Sequence, residues 1–172
     1  MAKDTTKTRP QKNEKPAKSA SPKPAGGHQD MGPARPIRLT PYLFLDGRCE
    51  EAIELYKRVL GAEVGMLMRF KDNPEPQPGM APSGSENKIM HASIKIGSTL
   101  VMLSDGRCQG KPNFQGFALS LAAPDIAAAD RMFAALGEGG QAQMPMTKTF
   151  FSPRFGMVAD RFGVSWMIIV EP

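Results

Sequence analysis

Apolar and polar positions change their period several times after residue 38, and each change marks an element. Residues 39–45 read Leu-Thr-Pro-Tyr-Leu-Phe-Leu, which suits a strand. Asp46-Gly-Arg-Cys is a turn. Residues 50–60 then place Ala52, Ile53, Tyr56, Val59 and Leu60 on one helical stripe. Glu50 and Glu51 stand in the first turn of that helix, Lys57 and Arg58 in its last, and Gly61 ends it. A strand is predicted over 62–70 and a polar Pro/Gly loop over 71–87. Residues 88–96 and 99–104 read as a hairpin around Gly97-Ser98, where Gly97 supplies the positive φ of a two-residue turn.

A loop over 105–115 divides the chain, and the same order returns. A strand is predicted over 116–122. Pro124-Asp125 opens a helix to Leu136, with Ile126, Ala129, Met132, Phe133 and Leu136 on its inner stripe. Three strands follow over 141–151, 155–159 and 164–170, the last two joined by Asp160-Arg-Phe-Gly163. The result is βαβββ twice, over about 38–105 and 115–171, with each unit about 60 residues long. Order carries this inference, because the halves share little sequence. The fold class is α+β.

Composition separates the first 36 residues from the rest. They hold eight Lys/Arg against three Asp/Glu and six of the sixteen prolines, with no Val, Leu, Ile, Phe, Trp or Tyr. Such a stretch cannot bury enough surface to offset its ordering entropy, so a disordered basic tail is expected over 1–36. The net charge of +5 belongs to that tail, and 37–172 is neutral. The pI therefore does not call for a basic face on the folded domain. The tail could tether the domain to nucleic acid or an acidic partner, but a solvated extension is the simpler reading. It lacks the apolar region of a secretory signal. No run approaches the roughly 18 apolar residues of a membrane span, so a soluble cytoplasmic protein is expected. Cys49 and Cys108 form no CxxC pair and no disulfide framework.

Four segments together resemble the PhnB-like, glyoxalase-like family of the vicinal-oxygen-chelate superfamily. They are Pro41-Tyr-Leu-Phe-Leu-Asp-Gly-Arg-Cys-Glu-Glu-Ala-Ile-Glu-Leu-Tyr56, Met90-His-Ala-Ser-Ile-Lys-Ile-Gly97, Leu100-Val-Met-Leu-Ser-Asp105 and Asp160-Arg-Phe-Gly-Val-Ser-Trp166. The resemblance spans nearly all of 38–171. It implies that each module curls its sheet into half a cup, with helices on the convex side. Two half-cups then enclose a cavity, often across a dimer, and a homodimer is expected. The order of elements leaves open whether the halves pair within one chain or between two. Metal enzymes of the superfamily place four ligands on cavity-facing strands. Counting from the landmarks puts those positions at Thr40, Met102, Ala118 and Met167, none of which suits a divalent ion. The chain has two histidines, and His28 lies in the tail. No cofactor and no metal site are therefore expected.

Strand alternation predicts the cavity lining. Thr40, Tyr42 and Phe44 face in from the first strand, with Leu43 and Leu45 behind. Ile89, His91, Ser93 and Lys95 face in from the hairpin, together with Leu100, Met102 and Ser104. Ala118, Ser120, Met167 and Ile169 face in from the second half. Trp166, Phe133 and Tyr56 belong to the core. Such a pocket is apolar and rich in Met, and it suits a small, partly hydrophobic ligand. The candidate binding residues are Tyr42, Phe44, His91, Ser93, Met102, Ser104, Ser120, Arg154 and Met167. Arg154 would hold an anionic group. His91 is the one acid–base candidate, and a packing histidine is the alternative. Cys49 stands at a helix N-terminus, where a thiolate is favoured, but Glu50 and Glu51 oppose it and a small turn residue is the simpler reading. The leading function is metal-free binding of a small molecule. The rival is a superfamily enzyme, either a lyase, isomerase or transferase using His91, or a dioxygenase-like enzyme with an unrecognised metal site. No glycine-rich turn opens a helix after a strand, which counts against a methyltransferase.

Overall fold

A computed structural model describes residues 36–76, 79, 83–106 and 112–172. The expected disordered tail lies outside the described residues save for Pro36, and so do His28 and Cys108. The fold concerns Arg38–Pro172.

The first module runs β1 (Tyr42–Phe44), α1 (Cys49–Leu60), β2 (Glu63–Arg69), a 3-10 turn (Phe70–Asp72), β3 (Ile89–Ile96) and β4 (Thr99–Ser104). The second runs β5 (Leu119–Ala123), α2 (Ile126–Gly137), β6 (Gln141–Thr147), β7 (Arg154–Ala159) and β8 (Ser165–Val170). The sheets have equivalent orders, β1-β4-β3-β2 and β5-β8-β7-β6. In each, the strand before the helix pairs parallel to the last strand, and the other pairs are antiparallel. This is the expected α+β architecture of two βαβββ modules.

The helices are anchored differently. Asp125 caps α2 through its carboxylate, which accepts the Ala128 N–H at 2.7 Å. Arg48 gives α1 no side-chain cap. Instead the carboxylate of buried Asp105 accepts the Cys49 N–H at 2.7 Å and the Ile89 N–H at 2.7 Å, which ties the helix start to β3. At the other end Gly61 adopts φ 64 and closes the helix.

The backs of both sheets and both helices share one core, which joins Leu43, Leu45, Ile94 and Leu103 to Leu136, Val158, Trp166 and Ile168. Tyr56 of α1 packs edge-on against Trp166 of β8, with ring centroids 5.3 Å apart. Asp160, 2% exposed, binds the modules at that point. Its carboxylate accepts from Tyr56 Oη at 2.8 Å, Trp166 Nε1 at 2.9 Å, Phe162 N at 2.9 Å and Val164 N at 3.1 Å.

Several boundaries and one facing differ from the pattern. β1 starts at Tyr42, since Pro41 has no N–H, and Leu39 is 98% exposed. β5 starts at Leu119, and β6 stops at Thr147. Phe150 and Phe151 then lie in a turn closed by Thr149 N donating to Ser152 O at 2.9 Å. Ile126 is the first residue of its helix and is exposed. Ile89 was expected in the cavity but is fully buried on the back. Its pairing explains this: Met68 opposes His91, and Arg69 opposes Ile89, so β3 carries one extra residue there. That bulge reverses the alternation.

Candidate functional site

The faces of the two sheets turned away from the helices carry matching rows of side chains. Register across β1, β4, β3 and β2 lines up Tyr42, Met102, Ser93 and Met66. Register across β5, β8, β7 and β6 lines up Ser120, Met167, Met157 and Met144. These faces stay open because neither helix covers them. Tyr42 is 38% exposed and Phe44 58%.

On the first sheet Tyr42 reaches across β4 to β3. Its hydroxyl lies 3.0 Å from His91 Nδ1, and the two rings are tilted with centroids 5.6 Å apart. Phe44 leans on Tyr42 at 4.9 Å. When the phenol donates to Nδ1, the neutral imidazole carries its proton on Nε2. His91 is half-buried, so one ring edge is fixed by protein and the other remains available. Met68 stands opposite His91 on β2. Ser93 is partly spent, because its Oγ accepts the Met66 N–H at 3.0 Å.

The second sheet offers apolar matter. Met167 and Ile169 are half-buried on its open face, and Ser120 is exposed at the edge. Phe155 shares register with Ile169 and lies buried beneath Phe151, with ring centroids 5.2 Å apart. Phe150 stands against Phe151 at 5.0 Å and is fully exposed.

Tyr42, Phe44, His91, Ser93 and Met102 are thus brought together on one sheet, with Ser120 and Met167 on the other. Two candidates stand apart. Ser104 is 2% exposed, and its Oγ accepts the Gly106 N–H at 3.1 Å. Arg154 pairs in register with Val170 on the back face, and its Nε donates to Asp130 of α2 at 2.8 Å. That ion pair holds the guanidinium against the helix. The residues missed from sequence were Tyr42 as the partner of His91, and Met66, Met68, Met144 and Met157 as further parts of the open faces. Alternation placed Tyr42 and His91 on the same face, but strand order was needed to bring them within reach.

The four positions counted for metal ligands remain Thr40, Met102, Ala118 and Met167, which offer a hydroxyl, two thioethers and a methyl. Among the described residues no three His, Cys, Asp or Glu side chains gather in one place. This donor set does not fit a divalent ion. Cys49 is fully buried, and burial with Asp105 and Glu50 nearby pushes its thiol well above the usual range. The helix start therefore does not carry a reactive thiolate.

Residues 37–169 match the family model described as 3-demethylubiquinone-9 3-methyltransferase. Protein YjdN of Escherichia coli (strain K12) is 37% identical over 138 residues, covering 77% of this chain and 94% of the relative. The crystal structure of protein PA1353 from Pseudomonas aeruginosa is 39% identical with a TM-score of 0.70, covering 79% of this chain and 98% of that one. A PhnB protein from Bacillus cereus, described as a putative 3-demethylubiquinone-9 3-methyltransferase, shares the fold at 24% identity and TM-score 0.64, over 78% of this chain and 99% of its own. A glyoxylase/bleomycin resistance protein/dioxygenase domain from Frankia sp. EAN1pec shares it at 13% identity and TM-score 0.55, over 81% and 100%.

Proposed function

Because the chain belongs to the PhnB-like family of the vicinal-oxygen-chelate superfamily, we propose that it binds a small, partly hydrophobic molecule, without a divalent metal, in a cup completed by a second copy. The hydrogen bond between Tyr42 and His91 carries this reading. It fixes a polar, orientable group in the middle of an open apolar face, which is how a pocket sets the pose of a mostly apolar ligand. Met102, Met167 and Met157 supply adaptable walls. The absence of a fitting donor set at the four counted positions supports metal-free binding. Methyl transfer is left out of the reading. The sheets are mixed, and the sequence has no glycine-rich turn between a strand and a following helix.

A screen of uncharged metabolites by thermal shift tests the reading. For any compound that raises Tm, Tyr42→Phe and His91→Ala should each weaken binding about tenfold, the scale of one lost hydrogen bond. A ligand indifferent to both substitutions would place binding elsewhere. A stoichiometric divalent ion in protein purified without a histidine tag would overturn the metal-free reading.

The second copy is supported by how the core is shared. Both sheets turn their backs to one core and their open faces away from it, which supports a cup closed by a second copy rather than within one chain. Phe44, Leu100 and Phe117 stand exposed as a result. Light scattering should report a dimer for the full chain, and Phe44→Glu should make it monomeric. A variant that stays dimeric would move the interface away from β1.

The same hydrogen bond favours a second reading, in which the molecule is turned over by a lyase, isomerase or transferase. His91 Nε2 would then move the proton, and Tyr42 would hold the ring. His91→Ala would lower turnover about 10²-fold or more, and unchanged turnover would remove the imidazole from the chemistry.

A further inference from the structure

A cavity of about 560 Å³ lies between the modules, away from the Tyr42–His91 pair. Its walls are the β3–β4 turn, Leu60 at the end of α1, Met132 of α2, and β5 with Trp166 beside it. None of Tyr42, His91, Met102 and Met167 lines it, although Ala118 and Ser120 at the edge of the second sheet's open face do. The size falls within the range of small-molecule sites.

Three features of the wall define a ligand. Among the described residues no charged side chain lines the cavity, which disfavours an ion. Hydroxyls of Ser98, Thr99 and Ser120 are set into otherwise apolar surface. The third is the backbone of β5. Among the described residues it is an edge strand, bonded on one side only, to β8. Among the described residues, no backbone hydrogen bond outside the helices and strands involves 118–123. Alternate N–H and C=O groups on the outer side of β5 are therefore left to a partner. We propose that this cavity binds an uncharged, amphipathic small molecule. An amide or carbonyl group pairs with the outer edge of β5, and the apolar part packs on Leu60 and Met132, close to the buried Trp166.

The chain holds one tryptophan, and it lies in the wall of this cavity, so its emission senses a change in its surroundings on occupancy. Full-length protein is titrated with cyclohexanecarboxamide and, separately, with the isosteric carboxylate. The carboxamide should give a saturable change with a Kd on the order of 1–10 mM, as befits a fragment. The carboxylate should bind at least about tenfold more weakly. Thr99→Phe and Ala122→Leu, on opposite walls and both exposed, should each weaken the carboxamide about tenfold. Tyr42→Phe, in the cup, should leave the titration unchanged, which separates this cavity from the proposed cup. Four results would overturn the proposal. They are no saturable change, equal affinity for the carboxylate, indifference to both wall variants, and a change in the number of copies on Thr99→Phe or Ala122→Leu. The last would make the β5 edge a subunit contact.

Discussion

Asp160→Ala should remove about 3–5 kcal/mol of stability, read as a lower urea midpoint followed by Trp166 emission. The carboxylate accepts four hydrogen bonds, two from side chains and two from the backbone of its own turn. Removing it leaves buried donors on Tyr56 and Trp166 without an acceptor, and each such orphan costs about 1–3 kcal/mol. The contributions do not simply add, because the turn can relax. Asp160→Asn should recover only part of the loss, since an amide nitrogen then faces donors. Tyr56→Phe removes one of the four bonds and should cost about 1 kcal/mol. A loss below about 1 kcal/mol for Asp160→Ala would mean that packing of the Tyr56 and Trp166 rings, rather than the carboxylate, holds the modules together.

Gly140→Ala should be the next most damaging substitution, at about 3 kcal/mol. A Cβ at Gly140 would fall on the carbonyl oxygen of Ala159 and against the backbone of Asp160. Backbone cannot swing aside as a side chain can, so β7 would have to move and carry the carboxylate hub with it. Gly139 is the control. It adopts φ 71 and has open space around it, meeting only the Arg161 side chain. Gly139→Ala should therefore cost about 1 kcal/mol, from conformation alone. Denaturation of the two variants side by side separates steric from conformational cost. If Gly139→Ala proves the worse, the close approach at Gly140 is not limiting. Because Gly140 abuts Asp160, the losses from Gly140→Ala and Asp160→Asn should combine non-additively.

Much of this architecture could be read along the chain, for local reasons. Period 3.6 over 50–60 and period 2 over 99–104 each report the face a neighbour covers, so the helices, the hairpin and most facings followed. The departures are also physical. The bulge that turns Ile89 inward depends on how β2 meets β3, and a single strand carries no record of its partner's register. Phe150 and Phe151 looked like strand because aromatic residues favour strands, but the turn bonds of Thr149 and Ser152 end the ladder first. Arg154 looked available to an anion because Asp130 lies 24 residues away on another element. Tyr42 and His91 are 49 residues apart and meet only because β1 and β3 both pair with β4, on opposite sides of it.

The shared core bears on the repeat itself. A duplicated unit that folded independently would keep its own interior, and the two copies would melt separately. Here the helix of the first unit presses its tyrosine into the second, and the acceptor for that hydroxyl lies 104 residues downstream. Neither half retains a complete interior when cut from the other. The two halves should therefore unfold together, in a single cooperative transition.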